Sequence, residues 1–163
     1  MELNKYNNLL ELFYAQYKKV NKNEDFLQSL KDQNSKFNWE QTYKSIQKLS
    51  NYIKKYISPK QRCLLISENR PEWLIADLAI MLAEGITVPA YTTYTQRDYE
   101  FLINDCKPSL IIVSNNTQFK KIEALIQKFN FIKKVITFDK INNDNITFLN
   151  QYYLFLFLRN HFH

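Results

Sequence analysis

The stretch RCLLISENRPEWLIADLAIMLAEGITVPA, residues 62–90, decides the fold of this chain. Its first part, Arg62–Ser67, is a near-continuous apolar run, which is typical of a strand buried on both faces of a parallel sheet. The next part, Pro71–Glu84, is apolar nearly all round and predicts a helix buried on most of its circumference. A second short apolar run, Ile86–Ala90, predicts another strand. The stretch therefore forms a strand–helix–strand unit.

Residues at the ends of these elements support the assignment. Pro71 suits the first position of a helix, where the missing N–H costs nothing, and Glu72 in the first turn suits the helix dipole. Gly85 is predicted to end the helix in a left-handed conformation. Pro89 cannot donate to the hydrogen-bond ladder, so it predicts the end of the second strand or a place at the edge of the sheet.

The same alternation continues downstream. Thr95 followed by Asp98 resembles a capping box that opens a helix running to about Cys106. Beyond it the apolar pattern predicts a strand at Ser109–Ser114, a helix at 117–129 and a strand at Lys134–Phe138. This order requires right-handed crossovers and a mostly parallel sheet with helices on both faces. The predicted fold class is α/β, doubly wound.

Upstream of residue 62 the pattern is weaker. It predicts an amphipathic helix at 7–20, a polar connection at Asn21–Lys36, a short extended piece at Phe37–Trp39 and a helix from Tyr43 to Ile57 that ends before Pro59. We expect three parts in the chain: an N-terminal helix with its polar connection at 1–36, the α/β unit at 37–147 and an aromatic tail at 148–163.

The tail contains FLNQYYLFLFL, Phe148–Leu158, which follows neither a helical nor a strand period. It is shorter than the roughly 20 residues needed to span a bilayer, so we do not read it as a membrane anchor. Three hypotheses remain open: a core element cut off from the rest of its domain, a non-native tail read out of frame, or an ordinary final strand or helix. His161 and His163 do not predict a metal site, because two ligands do not complete one.

Composition excludes several classes of function. The chain has 163 residues, 45% of them hydrophobic and 23% charged, which is enough for one domain with a sizeable core. It has a single glycine, which excludes the glycine-rich loops that bind dinucleotides or phosphates. The net charge of +6 comes mostly from lysines on outward helix positions rather than from an Arg-rich stripe. We therefore expect no nucleic-acid partner.

Cysteine usage and the first residues indicate a compartment. Cys63 and Cys106 lie far apart in apolar surroundings, so both are predicted to be reduced thiols in the core. The chain begins with acidic residues and an interrupted apolar pattern, unlike a secretory signal peptide. Together with the lack of a sufficiently long apolar run, these features lead us to expect a cytoplasmic protein without a transmembrane segment.

The stretch ISENRPEWLIADLAIMLAEGITVPAYTTYTQRDYEFLINDCKPSLIIVS, Ile66–Ser114, resembles the early part of AMP-forming acyl-CoA ligases of the adenylate-forming superfamily, most of all the long-chain fatty acid members. The segments Phe37–Ile53 and Phe131–Asp139 are similar to the flanking elements of that family, so the resemblance covers roughly residues 37–140. Its most specific parts are ENRPEW at 68–73, with the apolar helix that follows, and VPAY at 88–91.

The resemblance implies the N-terminal subdomain of an enzyme that uses ATP, Mg²⁺ and coenzyme A to convert a fatty acid into an acyl-adenylate and then a thioester. That family uses a phosphate loop ending in Pro-Lys-Gly, an aromatic adenine pocket, an acidic magnesium ligand, an aspartate on the ribose and a lysine in a mobile C-terminal domain. None of these has a match in this chain. We assign no catalytic, cofactor-binding or metal-ligating residue, and expect an N-terminal fragment that binds no cofactor and is inactive alone.

Within the resembling stretch, most residues are explained by folding. Arg70 and Glu72 flank the helix start and are interpreted as a structural salt bridge or cap, and Trp73 as an anchor in the core. Tyr91, Thr92, Thr93 and Tyr94 follow the carboxyl end of a strand, where α/β sheets present ligands. A turn is the simpler interpretation. This loop is nevertheless our one candidate for contact with an acyl chain or nucleotide in a complete enzyme.

Two alternatives to an inactive fragment remain. One is an α/β binding or interaction module, or half of a split ligase that pairs with a separately encoded remainder. The other is an unrelated flavodoxin-like regulatory protein, which would require a cluster of acidic residues at the strand ends that we do not find. Because later segments of a complete enzyme would cover some faces of this unit, we also expect exposed apolar patches and a tendency to self-associate.

Overall fold

A computed structural model describes residues 6–30, 36–139 and the backbone of 153–155. The apolar runs form one parallel sheet in the order β4-β3-β5-β6-β7. These strands are β3 (Arg62–Ile66), β4 (Ile86–Ala90), β5 (Leu110–Val113), β6 (Lys134–Thr137) and β7 (Tyr153–Phe155). The predicted doubly wound α/β fold is confirmed. Pro89 lies in β4, which is an outer strand of the described sheet, as its missing N–H predicted.

Among the described residues, five helices cover the sheet: α1 (Leu9–Tyr17), α2 (Trp39–Ile53), α3 (Pro71–Leu82), α4 (Gln96–Cys106) and α5 (Asn116–Lys128). The predicted capping box at the start of α4 is present, because the Thr95 side chain accepts from the backbone N–H of Asp98 and the Asp98 carboxylate accepts from that of Thr95. No described helix has the length and apolar character needed to cross a membrane.

Successive side chains along each strand contribute alternately to two separate hydrophobic cores, one on each face of the sheet. Cys63 and Leu65 of β3 point to the face covered by α1, α2 and α3, whereas Leu64 and Ile66 point to the face covered by α4 and α5. All four are fully buried, and each apolar side chain contributes about 1.5–3 kcal/mol by leaving water. Because every strand in the middle of the sheet has a core on each side, its sequence is continuously apolar. Cys106 is also buried, and both cysteines are free thiols as predicted.

The polar connection predicted at 21–36 contains a strand that the sequence pattern did not predict. Residues Asp25–Gln28 form β1, which pairs antiparallel with β2 at Lys36–Asn38. Phe26 stacks on Trp39 with ring centroids 3.7 Å apart, and this contact holds the hairpin against the start of α2. Phe26 and Leu27 are the two apolar residues of β1, and polar residues flank this short pair on both sides. Residues 31–35 lie outside the described part of the chain.

Helix α2 begins and ends earlier than predicted. Asn38 caps it with a reciprocal bond to Gln41, so the helix starts at Trp39 rather than Tyr43. At its end, the backbone N–H of Tyr56 donates to the carbonyl of Ile53, three residues before, so the last turn tightens and the α-helix stops at Ile53. The apolar spacing in the sequence predicts a helix as far as Ile57, because the tightened turn still places the Ile57 side chain on the buried face.

The predicted role of Gly85 is wrong in its mechanism. The left-handed residue after α3 is Glu84, with φ 63°, and Gly85 does not have a positive φ. The N–H of Gly85 donates to Ile80 and that of Glu84 to Met81, which is a Schellman ending with glutamate at the left-handed position. A Cβ at Gly85 would lie 2.8 Å from Ile57 Cδ1 and 3.0 Å from Ile80 Cγ2. Close packing, not backbone conformation, therefore requires glycine.

Candidate functional site: the crevice at the carboxyl ends of β3 and β4

The loops that follow β3 and β4 enclose an open crevice of about 560 Å³. Parallel sheets present ligands at the carboxyl ends of their strands, so the position is the one expected for a site in this fold. One wall is polar and carries a carboxylate, and the other is formed mainly by apolar and aromatic side chains. Its lining residues are Ser67, Glu68, Asn69, Trp73, Pro89, Ala90, Tyr91 and Thr92.

Half of the predicted candidate loop reaches this crevice. Tyr91 and Thr92 line it, whereas Thr93 and Tyr94 are not among its lining residues. The loop is a turn, as predicted, and Tyr91 is 73% exposed. Tyr94 packs edge-on between the rings of Tyr91 and Tyr99, with centroid distances of 5.6 and 5.8 Å. The exposed Tyr91 ring at the mouth of the crevice therefore packs on Tyr94, which in turn packs on the buried ring of Tyr99.

Two hydrogen bonds hold the backbone of this loop in place. The Tyr99 hydroxyl donates to the carbonyl of Tyr91 at 2.7 Å, and the Lys121 ammonium donates to that of Thr92 at 2.5 Å. Tyr99 comes from α4 and Lys121 from α5, so both helices of one face fix the loop. Burial raises the pKa of Tyr99 to about 12, and the charge of Glu68 acts in the same direction. The phenol is therefore protonated, and can donate, throughout the neutral range.

Glu68 is the charged residue of the opposite wall. Its carboxylate accepts from the Asn115 amide at 3.4 Å and from the Gln118 amide at 3.1 Å, both at the start of α5. Burial raises the pKa of Glu68, but these bonds, the nearby Ser114 hydroxyl and the residue's own backbone together hold it below its usual value. The crevice therefore carries a negative charge at neutral pH.

Arg70 forms the predicted salt bridge at the start of α3. Its Nε lies 2.9 Å from Glu72 Oε2 and its Nη2 lies 2.9 Å from Asp139 Oδ1. Burial opposes the charge on the guanidinium, but these two carboxylates hold the pKa of Arg70 above its ordinary value. The salt bridge to Glu72 is confirmed, whereas the link to Asp139, just after β6, is additional.

Trp73 differs from its predicted role as a core anchor. It is only partly buried, packs at the margin of the core and lines the crevice. The reason lies in the position of Trp73 within α3. Trp73 lies in the first turn of α3, which begins just after the carboxyl end of β3, where the crevice opens. Trp73, which was predicted to have a structural role alone, therefore forms part of the aromatic wall of the crevice.

The polar wall formed by Ser67, Glu68 and Asn69 was not predicted from the sequence. A signal was available, because these residues follow β3 directly, just as the predicted loop follows β4. The strand-end rule applied to both loops would have placed them together. Asn115 and Gln118 approach Glu68 because β3 and β5 are neighbours in the sheet. Predicting this contact requires the order of the strands, which local sequence pattern does not give.

The described residues do not fit a metal ion or a polyphosphate. They contain no group of three or more His, Cys, Asp or Glu side chains arranged to hold a metal. The charged group in the crevice is the carboxylate of Glu68, which repels phosphate. The basic side chains nearby, Arg70 and Lys121, are bonded to carboxylates and to a backbone carbonyl. The crevice instead suits an uncharged or apolar group placed against its aromatic wall.

The family model for AMP-binding enzyme matches residues 15–151. The match spans most of the chain, so the chain belongs to the AMP-binding enzyme family. The resemblance to acyl-CoA ligases is confirmed, and an unrelated flavodoxin-like origin is excluded.

Two relatives with curated descriptions are long-chain fatty acid–CoA ligases. The chain is 28% identical over 74 residues to the long-chain-fatty-acid–CoA ligase ACSBG2 of Xenopus laevis, covering 45% of this chain and 10% of the relative. It is 22% identical over 111 residues to ACSBG1 of Rattus norvegicus, covering 68% of this chain and 15% of the relative. The chain therefore spans about a tenth to a seventh of these proteins.

Solved structures agree on the fold. The coronafacic acid ligase of Pectobacterium brasiliense superposes with a TM-score of 0.75 at 15% identity, covering 88% of this chain and 28% of that one. At that identity the likeness concerns the fold alone.

Proposed function

We propose that this chain is the N-terminal portion of a long-chain fatty acid–CoA ligase, located in the cytoplasm. In the complete enzyme the substrates are a fatty acid, ATP and coenzyme A, with Mg²⁺ as the metal. The observation that carries the proposal is the family match over residues 15–151, together with relatives that are long-chain ligases. Two free buried thiols fit a reducing compartment.

This portion does not carry out adenylation by itself. Transfer of an adenylyl group needs groups that neutralise a polyphosphate and align it with the carboxylate. The crevice offers a carboxylate instead, and the described residues hold no metal cluster. The chain also covers only 10–15% of its curated relatives. We therefore assign the chemistry to other parts of the ligase.

The crevice contributes contact with an apolar part of the substrates. Its aromatic and aliphatic wall, formed by Trp73, Ala90 and Tyr91, suits an acyl chain or an adenine ring better than a phosphate. Tyr91 is the residue best placed for this, because its ring is exposed while its carbonyl is fixed by Tyr99.

The first test measures pyrophosphate release from the purified chain supplied with ATP, Mg²⁺ and a long-chain fatty acid. It is run with and without a polypeptide carrying the remaining ligase segments. We expect release only in the presence of that polypeptide. Release by the chain alone would overturn the assignment of chemistry to other segments. Silence in both conditions would favour a non-catalytic interaction module over a split or interrupted ligase.

The second test addresses the crevice in the reconstituted enzyme. We expect Tyr91→Ala to raise the KM for the fatty acid or for ATP about tenfold, as loss of one aromatic contact predicts. Phe101→Ala is a matched control, because Phe101 is 74% exposed and lies on α4 away from the crevice. Equal kinetics for the two variants would show that the crevice does not contact substrate.

A further inference from the structure

The crevice at the carboxyl ends of β3 and β4 combines two kinds of surface. Trp73 and Tyr91 supply aromatic rings to one wall, and Glu68 supplies a carboxylate to the other. The proposed function places either an acyl chain or an adenine ring here, and the two differ in what they require. An acyl chain needs apolar contact alone, whereas adenine is a flat aromatic ring that also carries an amine. The chemistry of the two walls therefore decides between them.

The carboxylate of Glu68 favours a ligand that can donate a hydrogen bond. Its partners are neutral: the amides of Asn115 and Gln118, at 3.4 and 3.1 Å, and the hydroxyl of Ser114. Within the described residues, no Lys, Arg or His forms an ion pair with it. A carboxylate has about four acceptor positions, and the Asn115 bonds are long, so these groups hold Glu68 in place without filling its capacity. An acyl chain would cover this charge without giving it a donor, which is costly, whereas an amine would supply one.

The other wall favours a flat ring. Tyr91 is 73% exposed, and the ring of Tyr94 packs edge-on against it at 5.6 Å. The backbone beneath it is fixed, because Tyr99 donates to the carbonyl of Tyr91 and Lys121 to that of Thr92. An aromatic ring on a fixed backbone loses little freedom when a ligand binds. Stacking on such a ring is a common way to hold a nucleobase, since every base has an aromatic face.

The charge of Glu68 is compatible with a nucleotide that enters by its base. In adenine nucleotides the amine and the ribose are attached to different rings of the purine. A base whose amine meets Glu68 therefore directs its ribose and phosphates away from the carboxylate, and the repulsion falls with distance and with screening by solvent. The opposite orientation, in which a phosphate meets Glu68, is disfavoured.

We infer that the crevice is an adenine site, in which the purine ring stacks on Tyr91 and the exocyclic amine donates to Glu68. The inference rests on the proposed function in naming ATP and coenzyme A as sources of the base, since both carry it. It assigns the crevice to a nucleotide rather than to the acyl chain. Tyr91 holds the ring, and Glu68 selects a base that carries an amine.

Fluorescence of Trp73 measures binding to the purified chain without any reaction. The chain has two tryptophans, and Trp39 stacks on Phe26 and is not among the lining residues of the crevice. Trp39→Phe keeps an aromatic ring there and leaves Trp73 as the single tryptophan. Adenosine carries the base without phosphate, and purine riboside lacks only the amine.

We expect adenosine to quench Trp73 and to bind about tenfold more tightly than purine riboside, as loss of a hydrogen bond to a charged group predicts. Decanoate is the competing apolar probe. Absence of adenosine binding, equal affinity for the two nucleosides, or a response to decanoate alone would overturn the inference.

A pair of variants tests whether Glu68 accepts from the amine. Glu68→Met keeps the length of the side chain and removes both acceptor oxygens, so the preference for adenosine should disappear while purine riboside binds as before. Glu100→Met is the control and should keep the preference, because Glu100 pairs with Lys128 on α4 and α5 and does not line the crevice. A preference that survives Glu68→Met would overturn the role of Glu68. If that variant does not fold, the comparison of the two nucleosides on the chain that keeps Glu68 decides the question.

The reconstituted ligase identifies the source of the base. Tyr91→Ala should raise the KM for ATP about tenfold if the base belongs to ATP, and the KM for coenzyme A if it belongs to coenzyme A. A rise in the KM for the fatty acid alone would overturn the inference and leave the proposed ligase function standing. Conversely, a preference for adenosine in the chain alone, with no pyrophosphate release in either condition, would overturn the ligase function and leave the adenine site standing.

Discussion

Arg70 and Asp139, sixty-nine positions apart in the chain, are joined by two hydrogen bonds of 2.9 and 3.2 Å. The same guanidinium binds Glu72 through two further bonds of 2.9 and 3.1 Å. One side chain thus connects the start of α3 to the second residue after β6. The two carboxylates differ in burial: the Glu72 side chain is 5% exposed and that of Asp139 is 48% exposed.

That difference predicts unequal effects of substitution. Arg70→Met removes the cation from a buried carboxylate and should lower the free energy of unfolding by about 3 kcal/mol. Asp139→Asn removes one partner of a half-exposed pair and should cost less than about 1 kcal/mol. Urea unfolding of both variants measures the difference. Similar losses in the two variants would contradict the assignment of the energy to the buried Glu72 pair.

Gly85→Ala should be destabilising although the backbone there allows any residue. The added methyl would press on Ile57 and Ile80, and overpacking of this kind costs about 1–3 kcal/mol. Glu84→Gly is the informative control, because Glu84 holds the left-handed conformation. We expect that variant to be unchanged or more stable by up to about 1 kcal/mol. The opposite order of stabilities in thermal unfolding would restore the conformational explanation for the glycine.

Tyr99→Phe should alter stability in a pH-dependent way. Near neutral pH the loss of the bond to the Tyr91 carbonyl should cost about 1 kcal/mol. Because burial raises the folded pKa from 10 to about 12, the native state holds this proton more tightly than the unfolded chain. The stability that the phenol contributes is complete below pH 10 and is lost as pH rises toward about 12.

Melting temperatures of Tyr99→Phe and the unsubstituted chain at neutral and alkaline pH measure this. The variant should lose less stability between pH 10 and about 12, so that the two curves approach each other. Parallel curves would show that Tyr99 does not titrate differently in the two states. Tyrosines other than Tyr99 are present in both proteins and cancel in the comparison.

The two thiols should be unreactive in the native protein. Burial raises the pKa of Cys63 to about 12 and also raises that of Cys106, so little thiolate is present near neutral pH. Ellman's reagent is expected to react slowly with the folded chain and to titrate both thiols after denaturation in guanidinium chloride. Rapid reaction of one thiol in the native protein would show that its segment opens without global unfolding.

The sheet and its helices were largely predictable from local pattern. Continuous apolar runs such as Leu110–Val113 identify strands because both faces of the sheet are covered, and Pro71 marks the start of α3. The strand β1 at Asp25–Gln28 was not predictable in this way, whereas its partner β2 overlaps the predicted extended piece at Phe37–Trp39. Phe26 of β1 stacks on Trp39, a contact between rings thirteen positions apart that no local period reveals.

The site was predictable only in part, for a related reason. Tyr91 was found because it follows a strand, which is local information. Glu68 acquires its role from Asn115 and Gln118, which lie 47 and 50 positions away and approach because β3 pairs with β5. Trp73 was assigned to the core because an apolar helix suggests complete burial, whereas its place in the first turn exposes one side.

The outer strand β4 carries a consequence for how copies of this chain meet. Ile86 donates inward to the carbonyl of Gln61, so Thr87 and Pro89 direct their backbone groups away from the described sheet. Because Pro89 has no N–H, a strand from another copy that paired with this edge would find one outward backbone donor, that of Thr87. Two ordinary residues at these positions would offer two donors. The β4 edge of the described sheet therefore resists the addition of a strand from another copy of the chain.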